Sequence, residues 1–90
     1  MLESKIEKEV CAYAKAKKWK HFKFNSDSNR GLPDRIFFRK GVCFLIEFKQ
    51  KGKELRKLQK HYMDTFKEEG FATYVIDNID DGIRLINTYD

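Results

Sequence analysis

Apolar residues recur at helical spacing at the start of the chain. Ile6, Val10, Tyr13 and Ala14 form one stripe of a helix expected from about Ser4 to Lys18. Ser4 and Glu7 have the spacing of a capping box, in which each side chain satisfies a free backbone donor of the first turn. The period then changes. "WKHFKFNS" alternates weakly, as a strand from about Lys20 to Asn25 does. "NSDSNRG" has loop composition, and "GLP" closes that loop. Two runs rich in β-formers follow, about Asp34 to Arg39 and Val42 to Gln50, joined at Lys40-Gly41. After the polar break "KGKE", helical spacing returns from about Leu55 to Glu69. Leu55, Leu58, Tyr62 and Phe66 lie on one stripe, and Gly70 is the stop signal. "FATYVID" reads as a strand. A short last helix is expected from near Asn78 or Asp80, carrying Ile83 and Ile86, with Gly82 as a weak point inside it.

The order is helix, three strands, helix, strand, helix. The last strand is expected to return parallel to the third by a right-handed crossover. The result is an α/β sandwich on one small mixed sheet, a single domain over residues 1–90. A chain of this size buries a modest core, so a partner chain would help it. No apolar run is long enough to span a membrane, and "MLESKIEKEV" is too charged for a signal peptide. Cys11 and Cys43 sit within apolar patterns and are expected to be small buried thiols. These features lead to the expectation of an intracellular, cytoplasmic protein.

Three charges interrupt the two central strands: Asp34 just after Pro33, and Glu47 and Lys49 within the second apolar run. Burying them in a sheet is unfavourable unless they serve one another or a ligand. With a two-residue loop at Lys40-Gly41, Arg39 faces Val42 and Asp34 lands opposite Glu47, with Cβ atoms roughly 4.5–5.5 Å apart. Lys49 points to the same face, about 7 Å along the strand. Phe37, Phe44, Ile46 and Phe48 point to the other face and make a core. A three-residue loop without a bulge would put Asp34 on the wrong face. Opposed carboxylates repel unless a cation lies between them, and their oxygens suit Mg²⁺ or Mn²⁺. Such an ion can activate water and clamp a phosphoryl oxygen, while a lysine beside it can stabilise developing negative charge. The plainer alternative makes Asp34 a turn residue and Glu47 with Lys49 an edge ion pair.

Charge distribution adds to this picture. The net charge is +5, and Lys49, Lys51, Lys53, Arg56, Lys57 and Lys60 are balanced locally only by Glu54. Lys15, Lys17, Lys18, Lys20 and Lys23 form a second basic group. A polyanion meeting one side of the domain accounts for both groups, and a solvated basic face is the alternative. His21 and His61 have no Cys or His partner at ligand spacing, which argues against zinc.

"GLPD" (Gly31 to Asp34) and "IEFK" (Ile46 to Lys49) resemble the core motif of PD-(D/E)xK nucleases. The chain is most similar to the VRR-NUC branch, whose tail "KELRKLQKHYMDTFKEEGFATYVI" matches, with Gln59 as its helical glutamine. The likeness covers nearly the whole chain, as in the stand-alone, phage-encoded members. It implies a restriction-endonuclease-like fold with an αβββαβ core. It implies Asp34 and Glu47 as ligands of Mg²⁺ (or Mn²⁺), joined by the Phe48 carbonyl, and Lys49 as the catalytic lysine. It further implies an acid from the first helix. "ESKIEKEV" favours Glu3 and the distance to "KKW" favours Glu7, so both stand as candidates. Gln59 is implied to orient Lys49 or touch the substrate. Lys51, Lys53, Arg56 and Lys60 are expected to contact phosphates, and the loop from Asn25 to Arg30 to follow the DNA backbone.

The resemblance implies a metal-dependent DNA endonuclease acting on branched DNA, above all Holliday junctions, as a homodimer. A flap, fork or nicking nuclease is the second reading, and a DNA-binding module with a silent site the third. A restriction enzyme fits less well, since 90 residues leave little room for base-reading elements.

Overall fold

The turn at Lys40-Gly41 sets the register of the sheet. Both residues have positive φ, 49° and 82°, as a two-residue hairpin needs to match the right-handed twist of its strands. The computed structural model describes residues 1–24 and 30–90. In it β2 (Arg35–Arg39) pairs antiparallel with β3 (Val42–Phe48), Arg39 facing Val42 and Phe37 facing Phe44. β1 (Lys20–Lys23) pairs antiparallel with β2, and β4 (Ala72–Ile76) runs parallel to β3. The strand order is β1-β2-β3-β4. Three helices complete the expected order: α1 (Glu3–Ala16), α2 (Lys57–Glu68) between β3 and β4, and α3 (Ile79–Thr88). No helix among the described residues is long and apolar enough to cross a membrane.

Strand alternation divides the sheet into two faces. Phe37, Phe44, Ile46 and Phe48 are all fully buried and meet Ile6, Val10 and Ala14 of α1 and Ile86 of α3. Phe44 stacks between Phe37 and Tyr89, with ring centroids 5.2 and 4.7 Å away. Trp19 meets Phe44 edge-on at 4.9 Å. Aromatic pairs of this kind contribute about 0.5–1.5 kcal/mol each beyond area burial. Arg39 secures the same corner. Its guanidinium lies 4.3 Å from the centre of the Trp19 ring and donates to the carbonyls of Lys17 and Tyr89, each at 2.9 Å. The opposite face carries Leu45, Glu47 and Thr73, and α2 turns the buried Gln59 and Met63 inward.

Helix ends explain several departures from the expected boundaries. α1 starts one residue early with Leu2 as N-cap, so Ser4 is inside the first turn and no capping box with Glu7 forms; the Glu7 carboxylate binds Arg35 instead. α1 stops at Ala16 because Lys18 takes φ +73°. The N–H of Trp19 then bonds to Ala14 and that of Lys18 to Lys15, a Schellman closure that drops Trp19 into the core. Gly70 plays the same part after α2, with Phe71 bonded back to Phe66. α2 starts at Lys57 rather than Leu55, because the Gln59 side chain accepts the N–H of Arg56, the N-cap. The expected α2 stripe is rotated. Leu58 is 47% exposed, while Gln59, one position on, is buried. β2, β3 and β4 are each shorter than expected, and the expected Asn25 end of β1 lies outside the described residues. Cys11 is a buried free thiol as expected, and Cys43 is free but only half-buried.

Gly82 is not a weak point. It is where α3 crosses α1: a Cβ there would lie 2.4 Å from Cγ2 of Val10. Alanine favours a helix by about 1 kcal/mol over glycine, but overpacking a core costs about 1–3 kcal/mol. Gly82→Ala should therefore lower the melting temperature by several degrees, and Val10→Ala in the same chain should restore part of it. An unchanged melt for Gly82→Ala would contradict the close crossing.

Candidate active site

Gly31 prepares the position of Asp34. Its φ is +105°, and a Cβ there would lie 2.9 Å from Leu58 Cγ and 3.1 Å from the Leu58 carbonyl carbon. Only glycine lets the loop lie so close to the first turn of α2. Pro33 is fully buried behind it. Asp34 then closes the β1–β2 ladder, its carbonyl accepting the N–H of Phe24 at 3.0 Å. Its carboxylate Oδ2 accepts the N–H of Phe48 from the neighbouring strand at 2.7 Å. The Phe48 side chain is in the core and its N–H is engaged, so its carbonyl is the group left to offer a cation.

Continued by one residue, the β2–β3 register sets Asp34 opposite Glu47. Glu47 is 3% exposed on an interior strand. Gln59 Nε2 donates to its Oε2 at 3.0 Å while Gln59 Oε1 accepts from Arg56 N–H at 2.8 Å. Gln59 thus orients Glu47, not Lys49. Burial pushes the Glu47 carboxyl up from an ordinary 4.5 to about 8; the Asp34 charge adds to the rise and Lys49 opposes it. Asp34 is also raised, by burial first, against the pull of the Phe48 N–H and with further push from Glu7 and Glu3. Lys49 is half-buried. Among the described residues neither Asp34 nor Glu47 forms an ion pair, so Glu47 and Lys49 are not the edge pair of the plainer reading.

The two helical acids separate. Glu7 is bound by Arg35 Nε at 2.5 Å, and Arg35 Nη1 lies 3.0 Å from His21 Nδ1. Burial, with the Arg35 charge second, lowers the His21 pKa. Glu3, in the exposed first turn of α1, has no ion pair among the described residues, and its charge is felt by both Asp34 and Glu47. Arg35 was not a candidate from sequence. Its position directly after Asp34 was the available signal, because alternation turns it to the opposite face, where α1 lies.

Arg30, Lys51, Lys53 and Arg56 are exposed. Lys51, Lys53 and Arg56 follow Lys49 between β3 and α2. Lys60 is exposed as well but lines a groove between α2 and β4 with Glu54, Asp64 and Lys67. Asn25 lies outside the described residues.

Among the described residues no three His, Cys, Asp or Glu side chains converge closely enough to cage a cation. What is present is an open pair of carboxylates with all-oxygen chemistry. That fits Mg²⁺ or Mn²⁺, ions that retain several waters and take one or two carboxylates. It does not fit a structural zinc.

Among solved structures, one named "VRR_NUC domain" superimposes with a TM-score of 0.87 at 20% identity, covering 98% of this chain and 97% of its own. The chain has the fold of a VRR_NUC domain. A second structure, "VRR_NUC domain protein", matches with a TM-score of 0.82 and 21% identity over 99% of this chain and 88% of the other. No protein-family model matches the sequence, and no curated protein does. In this VRR_NUC fold the small mixed sheet brings together the expected Asp34, Glu47 and Gln59, with Lys49 directly after β3.

Proposed function

We propose that this chain is a divalent-metal-dependent DNA endonuclease that hydrolyses phosphodiester bonds in branched DNA, cutting four-way Holliday junctions as a homodimer. The observation that carries the reading is the Asp34–Glu47 pair: one half-buried and one buried carboxylate, opposed across β2 and β3, with no ion pair among the described residues to neutralise them. Like charges so placed destabilise the fold unless they hold a cation.

Asp34 and Glu47, with the Phe48 carbonyl, would hold Mg²⁺ or Mn²⁺, and Glu3 is the helical acid free to join them. The ion supplies Lewis-acid polarisation of the phosphate and a more acidic bound water. The protein's own residues do the rest. The Phe48 N–H keeps the Asp34 carboxylate in place, and Gln59 keeps that of Glu47. Lys49 puts positive charge where negative charge develops on the phosphate. Arg30, Lys51, Lys53, Arg56 and Lys60 take flanking phosphates. Two copies related by a twofold axis would make paired cuts in a symmetric junction.

The test is incubation with labelled four-way junction, flap, fork and linear duplex, with Mg²⁺ or with EDTA, followed by mapping of the cuts. Symmetric paired nicks on the junction, absent in EDTA, are expected. Cutting that survives EDTA rejects the metal mechanism. Cuts confined to flaps or forks replace the junction with those substrates, and binding without cleavage makes the chain a silent DNA-binding module.

A further inference from the structure

Lys15, Lys18 and Lys20 of the second basic group have no part in the site above. Lys15, Lys18 and Lys20 line a groove of about 480 Å³ at the β1 end of the sheet, with His21 and no carboxylate among its walls. That volume lies in the range of small-ligand clefts. Phe22 and Phe38 form its apolar part. Phe22 is 65% exposed, and its ring centroid lies 5.6 Å from that of Phe38, the planes inclined by 36°. Trp19, buried at the floor of the groove, has an indole N–H without an acceptor among the described residues.

A large exposed aromatic on an edge strand invites unwanted association, and proteins normally avoid it. Here it is flanked by cations. Flat rings beside lysines are the chemistry that holds unpaired nucleotides: bases stack on the rings and phosphates meet the ammonium groups. The position also fits. Phe22 faces Ile36 across β1 and β2, and Ile36 shares a face with Asp34 two residues before it, roughly 7 Å along the strand. The ring pair is therefore on the carboxylate face, one strand further out.

We propose that this groove binds a short unpaired stretch of DNA, with a base stacked on Phe22 and Phe38 and phosphates held by Lys15, Lys18 and Lys20. Such a stretch would be an opened arm of the branched substrate proposed above; that purpose rests on the nuclease reading, while the binding does not. Fluorescence anisotropy with a labelled oligo(dT) of about eight nucleotides, in EDTA, measures it without any cutting. Phe22→Ala should weaken binding by about tenfold and Phe22→Trp should retain it. An abasic strand of equal length should bind the unaltered protein as weakly as oligo(dT) binds Phe22→Ala. Equal affinity of the unaltered protein and Phe22→Ala for oligo(dT), or equal affinity of the abasic strand and oligo(dT), would overturn the assignment. So would sedimentation showing that Phe22→Ala splits a dimer, because the face would then be an interface between copies. Junction cleavage can fail while this binding stands, and the reverse, so each reading is tested separately.

Discussion

Glu47→Gln should abolish DNA cleavage and, in metal-free buffer at pH 8, make the protein more stable. The two effects have one cause. Glu47 is 3% exposed and faces Asp34, and its carboxyl is pushed up to about 8, above the ordinary 4.5. A carboxyl raised in the folded state gives stability that is fully present below the unfolded value and is lost as pH rises through the folded one. The metal-free protein should therefore weaken between about pH 5 and pH 8. A glutamine at 47 keeps an amide oxygen to accept from Gln59 and carries no charge, so its stability should be nearly flat over that window. Removing such a functional liability commonly gains about 0.5–2 kcal/mol, or several degrees in a domain this small. Mg²⁺ should raise the melting temperature of the unaltered protein, since a ligand that binds only the folded state stabilises it, and should leave Glu47→Gln unmoved. Thermal melts at pH 5, 6.5 and 8, with EDTA or Mg²⁺, read all of this without reference to activity. A Glu47→Gln protein that melts lower than the parent at pH 8 would rule out the strained pair.

The second large effect belongs to Lys49. Lys49→Ala should lower cleavage by about 10²–10³-fold, the usual loss when one charge-stabilising group is removed from a reacting centre, while DNA binding in EDTA changes little. Its side chain forms no ion pair among the described residues, so its removal leaves no partner buried without a counter-charge. Stability should hold, which separates a chemical role from a structural one. Full cleavage by Lys49→Ala would remove it from the mechanism, and an equal loss of binding and cleavage would make it a phosphate contact.

The hairpin was readable because its turn has two residues. Lys40-Gly41 leaves a single natural register, and the pleat then decides which side chains share a face. Gly70 was readable because a left-handed residue after a helix is a local need. The rotation of α2 was not. Leu58 and Gln59 are neighbours about 100° apart on the helix, and a hydrophobic count always turns the leucine inward. The tie is decided by Glu47, a residue of β3, whose buried carboxylate takes the amide of Gln59. Glu7 likewise had a local use, the capping box, and lost it to Arg35, which is distant in sequence. Gly82 looked like a helix defect because its value lies in Val10 of another helix. Each miss is a local preference overruled by a partner from elsewhere in the chain. In the candidate site, the opposition of Asp34 and Glu47 followed from register alone, whereas the pairing of Glu7 with Arg35 awaited the third dimension.

The hairpin also bears on how the chain reaches its fold. Loop-closure entropy is smallest for the shortest loops, and contacts close in sequence form early. The β2–β3 pairing closes over only Lys40-Gly41, so it is the least costly strand pairing in the molecule. It is also the pairing that brings Asp34 up to Glu47, and α2, with Gln59, comes from later in the chain. The acids therefore meet with only the Phe48 N–H of the same hairpin at hand, before the Gln59 amide arrives to hold Glu47. Their repulsion is a barrier on the folding route as well as a strain in the folded state, and it grows with rising pH as carboxyls lose their protons.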